Sequence, residues 1–180
     1  ARAMRRLLPS SMPNCLMTKA DNRQWLQSGL VVAAVTAGLD QTSKWAVMHL
    51  LDLEILRRLE LLPFRDFAFV WNNGISYGLF SSGSAMAKWL LTAITLAITA
   101  YLVRAMMTTQ GRITRLGYAL IIGGALGNLI DRIIHGAVVD FISLHYAGYY
   151  WYVFNLADIW ISLGVALLVW GFWREKEPES

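Results

Sequence analysis

Asp140 and Asp158 are the residues best suited to chemistry in this chain. Each carboxylate is embedded in an apolar run, Val138-Val139-Asp140-Phe141-Ile142 and Phe154-Asn155-Leu156-Ala157-Asp158-Ile159-Trp160. A carboxylate at or near a lipid bilayer is costly, so it marks a functional site by default. Two close carboxylates cannot easily both ionise, so one pKa rises and the pair shares a proton. One then acts as base and the other as acid around a single water. The base activates the water against an amide carbonyl, and the acid stabilises the oxyanion and protonates the leaving amine. Apolar neighbours such as Phe141, Ile142, Phe154 and Trp160 favour such a raised pKa. The same pair can also relay protons, and spacing alone leaves both readings open.

Other polar residues sit at helical spacing near the pair. Asp40 and Lys44 stand at i and i+4 and can pair on one helix face. Ser43 beside Lys44 points elsewhere on a helix, which disfavours a Ser–Lys dyad. In Gly123-Gly124-Ala125-Leu126-Gly127-Asn128-Leu129-Ile130-Asp131-Arg132, Gly123 and Gly127 make a small-residue surface that lets another helix approach. Asn128, Asp131 and Arg132 form a polar stripe that must face protein or a wet cavity. Arg132 either holds substrate or neutralises Asp131. Asn155 and Asp158 repeat the i, i+3 spacing. If the segments around them adjoin, Asp140 can meet Asp158 across a cavity.

The elements that must position these residues are membrane helices. The chain has 180 residues, 56% hydrophobic and only 16% charged, against about 25% charged in an average soluble domain. Mean hydropathy is +0.44. Eight Trp, seven Tyr and seven Phe suit membrane–water interfaces. Four hydrophobic segments run over about 25–50, 85–107, 115–134 and 152–173. Their uncharged cores, 24–39, 89–103, 116–130 and 159–173, reach spanning length only with a charged residue at one end. The expected fold is an all-α membrane protein with four transmembrane helices and a small extracytoplasmic β-rich cradle. The β-rich piece falls in about 51–83, where Phe67-Ala68-Phe69-Val70-Trp71 has strand composition and Asn72-Asn73-Gly74 signals a turn. The loop at 135–151 ends in Tyr149-Tyr150-Trp151-Tyr152, read as an interfacial aromatic belt.

Charge sets the orientation. The net +4 comes from the first 25 residues, where Arg2, Arg5, Arg6, Lys19 and Arg23 face only Asp21. Arg104, Arg112, Arg115, Arg174 and Lys176 join them on one side. The opposite loops offset Arg57, Arg58 and Arg65 with Asp52, Glu54, Glu60 and Asp66. Both termini are therefore expected in the cytoplasm. Asp40, Asp131, Asp140 and Asp158 then fall at the extracytoplasmic end. Residues 1–24 read as a disordered basic cytoplasmic tail, 25–174 as one membrane domain, and 175–180 as a second cytoplasmic tail. The tail lacks the 7–15-residue apolar core of a cleavable signal peptide.

Several functions lose support. No basic stripe alternates with exposed aromatics, so nucleic acid is not an expected partner. The single Cys15 forms no internal disulfide and no cysteine zinc cluster. His49, His135 and His145 lack ligand spacing, and no His-Glu-x-x-His, Gly-x-Ser-x-Gly, P-loop or dinucleotide motif is present. Four spans without an inverted repeat disfavour a secondary transporter. A proton or ion pathway, and a structural four-helix partner, remain as alternatives. A pathway needs polar groups at staggered depths, whereas these carboxylates share one end.

Five motifs in order resemble the lipoprotein signal peptidases (signal peptidase II), aspartyl peptidases of the bacterial cytoplasmic membrane. They are Asp40-Gln41-Thr42-Ser43-Lys44, Asn72-Asn73-Gly74-Ile75-Ser76-Tyr77, Gly123 to Arg132, Val138-Val139-Asp140-Phe141, and Phe154-Asn155-Leu156-Ala157-Asp158. The resemblance covers about residues 25–173. It implies that Asp140 and Asp158 are the catalytic dyad. It implies substrate-binding or supporting roles for Asp40, Lys44, Asn72, Gly74, Asn128, Asp131, Arg132 and Asn155. The substrate it implies is a diacylglyceryl-modified prolipoprotein, cut on the amino-terminal side of the lipidated cysteine. It implies no cofactor and no metal, and contact with membrane lipids at the inner membrane. The second motif departs from the family's usual Asn-x-Gly-Ala-Ala-Phe at Ile75, Ser76 and Tyr77, which bears on the fit of lipid or peptide there.

Overall fold

A computed structural model of the chain describes residues 19–56, 58–62, 65–74, 85–146 and 149–176. Five helices are seen among them: α1 (Lys19–His49), α2 (Leu53–Leu56), α3 (Ala85–Thr108), α4 (Arg112–Ile134) and α5 (Leu156–Lys176). Four strands complete the fold: β1 (Arg58–Leu62), β2 (Arg65–Asn72), β3 (Val138–Tyr146) and β4 (Tyr149–Phe154).

The four long helices lie close to the four hydrophobic segments of the sequence. Three of them hold stretches long and apolar enough to cross a membrane: Lys88–Thr108, Arg112–Ile134 and Leu156–Arg174. Helix α1 carries Asp40 and Lys44 inside its length. It also begins earlier than expected. Residues 19–24, assigned to a disordered tail, are helical, because no Gly or Pro interrupts the chain between Pro13 and Trp25. Residues 1–18 and 177–180 lie outside the described residues, while 175 and 176 extend α5.

Helix α4 is the hub, packing against α1, α3 and α5. Its small residues allow this. A Cβ added at Gly124 would meet the Ala157 carbonyl, and one at Gly117 would lie 2.8 Å from the Gly164 carbonyl oxygen. A Cβ at Gly123 would strike Thr36 and one at Gly127 the Asp40 carboxylate. The expected small-residue surface thus seats α1, and Gly127 leaves the room that Asp40 fills.

The sheet is larger than the sequence indicated. Its order is β1-β2-β3-β4, every pairing antiparallel. Half of it lies outside 51–83, in the loop read only as an aromatic belt, so "all-α" understates the fold. Two hairpins, separated in sequence by α3 and α4, join through β2 and β3. Val47 at the end of α1 packs with Phe69, Val139 and Phe141, fastening the sheet to the helices. Strand β3 escaped notice because Val138, Val139, Asp140, Phe141 and Ser143 are all buried. A strand covered on both faces shows no alternation of apolar and polar residues.

Candidate active site

The start of α5 organises the polar centre. Asn155 is its N-cap: the Asn155 Oδ1 accepts the Asp158 amide at 3.1 Å, and the Asp158 Oδ2 accepts the Asn155 amide at 3.2 Å. This reciprocal pair is a capping box, which fixes both side chains at a helix end. The next orphan amide, Ala157 N–H, donates to Asp40 Oδ1 at 2.9 Å. The carboxylate from α1 therefore satisfies a donor of α5.

Lys44 anchors the layer beneath. Its ammonium lies 2.7 Å from Asp40 Oδ2, 2.8 Å from Asp131 Oδ2 and 3.1 Å from Asn128 Oδ1. Three protons meet three acceptors, and Lys44 is only 1% exposed. A buried ammonium requires such saturation. Lys44, rather than Arg132, is thus the ion-pair partner of Asp131. Asp131 also accepts the Gln41 side chain at 2.8 Å and the Val139 amide at 3.1 Å, which ties β3 to α4. Arg132 is half-buried and its Nη1 reaches the Asn128 carbonyl at 3.5 Å.

Asn128 and Asn155 carry this layer up to the carboxylates. Asn128 Nδ2 donates to Asp158 Oδ1 at 3.2 Å. Asn155 Nδ2 donates to Asn128 Oδ1 at 3.1 Å and to Asp140 Oδ1 at 2.6 Å. From the other side, Asn72 Nδ2 donates to Asp140 Oδ2 at 2.8 Å. Asn72 is itself held by an Asx turn, in which Gly74 N–H donates to its Oδ1 at 2.7 Å. Gly74 has φ +76°, and a Cβ there would lie 2.7 Å from Leu91 Cδ1 on α3. The positive φ favours glycine here.

Asp140 is buried and Asp158 is half-buried, facing a cleft of about 520 Å³. Leu144, Phe154, Ile159 and Leu163 make its walls apolar, while Asn72, Tyr152, Asp158 and Ser162 supply polar atoms. Burial pushes the Asp140 carboxyl up to about 6; the Asn72 hydrogen bond opposes this and the Asp158 charge adds to it. Among the described residues, no three His, Cys, Asp or Glu side chains gather as a metal site.

All the sequence-predicted site residues therefore meet in one hydrogen-bonded cluster. Ile75, Ser76 and Tyr77 lie outside the described residues. Two contributors had no role assigned from sequence. Gln41 bridges the Gly127 carbonyl (3.0 Å) and Asp131. Its signal is its place between Asp40 and Lys44. Tyr152 lines the cleft, and its hydroxyl accepts the Asn72 Nδ2 at 3.0 Å. Nothing in an aromatic cluster distinguishes this ring from its neighbours.

Known proteins share this arrangement of sequence and fold. The family model described as signal peptidase (SPase) II matches residues 32–174. A lipoprotein signal peptidase of Methylobacterium sp. (strain 4-46) is 44% identical over 153 residues, spanning 84% of this chain and 93% of that protein. One from Vibrio parahaemolyticus serotype O3:K6 is 34% identical over 164 residues, spanning 90% and 95%. A bacterial membrane enzyme solved by the in meso method at 1.9 Å superposes with a TM-score of 0.67 at 27% identity, covering 83% of this chain and 95% of that one. With most of its length matched by the family model and by full-length relatives, the chain belongs to the signal peptidase II family.

Proposed function

We propose that this membrane aspartic peptidase removes the signal peptide of diacylglyceryl-modified prolipoproteins, cutting before the lipidated cysteine with Asp140 and Asp158 as its dyad. One observation carries the reading: Asn155 ties both carboxylates together beside an apolar-walled cleft, its side-chain amide donating to Asp140 and its backbone amide to Asp158. The substrate's acyl chains hold it in the bilayer, so the cut must occur at the membrane surface.

In this reading Asp158, which faces the cleft, is the base and the buried Asp140 holds the shared proton. Asp158 takes a proton from water as the oxygen bonds to the scissile carbonyl carbon. Asp140 gives its proton to the carbonyl oxygen, leaving a neutral gem-diol. As the C–N bond breaks, Asp158 returns its proton to the amine nitrogen. Asp140 recovers a hydroxyl proton, leaving a carboxylic acid and restoring the pair. Asn72, Asn128 and Asn155 hold the carboxylates in place. Asp40, Lys44 and Asp131 hold the asparagines, α5 and β3. Gly74 fixes Asn72, and Arg132, half-buried beside the cluster, contacts substrate.

Helix α1 is the fourth span in this reading, with Asp40 and Lys44 neutralising one another near the membrane surface. Both termini face the cytoplasm and the sheet lies on the extracytoplasmic side of the inner membrane. The disposition of Lys and Arg supports this. A proton pathway gains no support, since Asp40, Asp131, Asp140 and Asp158 gather at one end of the helices.

The test is cleavage of a purified diacylglyceryl-modified prolipoprotein by wild type, Asp140→Asn and Asp158→Asn, all three shown to be folded. Cleavage by wild type and its loss in both variants is the expected result. An intact substrate with folded wild type rejects the reading.

A further inference from the structure

Gln41 is half-buried on α1, next to Asp40, and no step of the proposed cleavage uses it. Its Nε2 donates to Asp131 Oδ1 at 2.8 Å and to the Gly127 carbonyl at 3.0 Å, with Asp40 Oδ2 a third oxygen at 3.4 Å. Only the nitrogen end of an amide can face three acceptors, so the surroundings fix which way the side chain points. Both of its protons are spent on α4.

Asp131 is 2% exposed, and its two oxygens are divided between its neighbours. Oδ2 takes Lys44 at 2.8 Å and the Val139 amide at 3.1 Å. Among the described residues, Oδ1 has Gln41 as its only donor. The last torsion of an aspartate is soft, so partners rather than covalent geometry fix the turn of its carboxylate. Without Gln41, Oδ1 becomes a buried charged oxygen lacking a donor, which is costly. Turning Oδ1 to Lys44 relieves that cost and takes the acceptor away from Val139.

The Val139 amide matters because Asp140 follows it. Strand β4 pairs with β3 only as far as Ile142. Asp131 supplies the acceptor further back along β3, at Val139. The Asp131 carboxylate thereby holds the backbone that carries Asp140, while Asn155 links Asp140 to Asp158. We propose that Gln41 is a positioning residue for cleavage: by fixing the turn of the Asp131 carboxylate it holds the Val139 amide and keeps Asp140 in place against Asp158. The inference rests on the peptidase reading, with Asp140 and Asp158 as its dyad. Gln41 is not among the residues that line the cleft, so it acts on the chemical step and not on substrate binding.

The experiment compares wild type, Gln41→Met and Gln41→Glu in cleavage of a diacylglyceryl-modified prolipoprotein. Gln41→Met keeps the length of the side chain and loses both donors. It should lower kcat about tenfold, the order of one hydrogen bond to a charged acceptor, and leave KM unchanged. Hydrogen exchange at the Val139 amide, followed by NMR, should quicken in the same variant, and this readout needs no activity. Gln41→Glu separates positioning from packing. The charged groups around its side chain are Asp40 and Lys44 on α1 and Asp131 on α4, with Asp140 and Asp158 beyond Asn128. Protonated, the new carboxyl donates to Asp131; ionised, it repels Asp131. The kcat of Gln41→Glu relative to wild type should therefore fall as pH rises. If Gln41→Met does not fold, the pH profile and Val139 exchange of Gln41→Glu decide. An unchanged kcat or unchanged Val139 exchange in Gln41→Met, or a Gln41→Glu ratio flat with pH, overturns the inference and leaves the peptidase reading intact. Folded wild type that leaves the substrate uncut overturns both.

Discussion

Asn155 and Asp158 cap one another at the start of α5, and the same Asn155 side chain donates to Asp140. The signal for beginning a helix and the device for aligning two carboxylates are one set of atoms. Asn155→Ala is therefore expected to lower stability by about 1 kcal/mol through the lost cap. It should also lower kcat by about 10²-fold or more, the usual weight of a positioned acid or base. Thermal unfolding and single-turnover cleavage separate the two. A kcat within twofold of wild type would detach Asn155 from the chemistry.

Lys44 holds Asp40 and Asp131 with its only charge. Lys44→Met leaves two buried carboxylates facing each other. Removing one partner of a buried ion pair costs about 3–5 kcal/mol. The melting temperature should fall steeply, and adding Asp40→Asn should recover part of the loss. A double variant less stable than the sum of the single changes would contradict the pairing.

The raised Asp140 carboxyl sets a pH signature. Its folded pKa of about 6 lies above the ordinary 3.8. Between those values the folded state keeps a proton that the unfolded state has lost, so this group's contribution falls as pH rises. The melting temperature of wild type minus that of Asp140→Asn should therefore decrease from pH 4 to pH 7. A difference that stays flat or grows would place the Asp140 pKa at or below its ordinary value.

Tyr152 gives the Asn72 amide its second acceptor. Tyr152→Phe keeps the ring and removes that oxygen. The loss of one hydrogen bond, about 1 kcal/mol, should slow cleavage about fivefold in wild type. It should change nothing further in Asn72→Ala. An additive loss in the double variant would show that the hydroxyl acts directly on substrate instead.

Gly127→Ala brings a methyl group against the Asp40 carboxylate. Overpacking of this kind costs about 1–3 kcal/mol. Here it also displaces the acceptor of the Ala157 amide. Stability and cleavage should fall together, and Gly38→Ala, where a Cβ meets nothing within 4 Å, serves as the silent control.

Much of this site was legible in the sequence because its chemistry obeys local spacing. Asp40 and Lys44 are one helical turn apart, and Asn155 with Asp158 has the spacing of a capping box. The reach of the network was not legible. Lys44 meets Asp131 and Asn128, and Asp40 meets Ala157, only through packing of α1 against α4 and α5. Periodicity carries no information about such distant partners. Strand β3 hid for a related reason: burial on both faces erased its alternation. Tyr152 hid among similar aromatics, since a hydroxyl's partner depends on strand register.

The two halves of the sheet are made at different times. Strand β2 leaves the ribosome before α3 and α4, and β3 follows them. The Asn72–Asp140 contact spans 68 residues and the Asp40–Ala157 contact 117. Contacts of such long sequence separation form late. During synthesis the first three-quarters of this chain holds every hydrophobic segment but one and still no carboxylate pair. With the proposed dyad, the nascent protein stays inactive until β3 and the last helix, which bring Asp140 and Asp158, have been made.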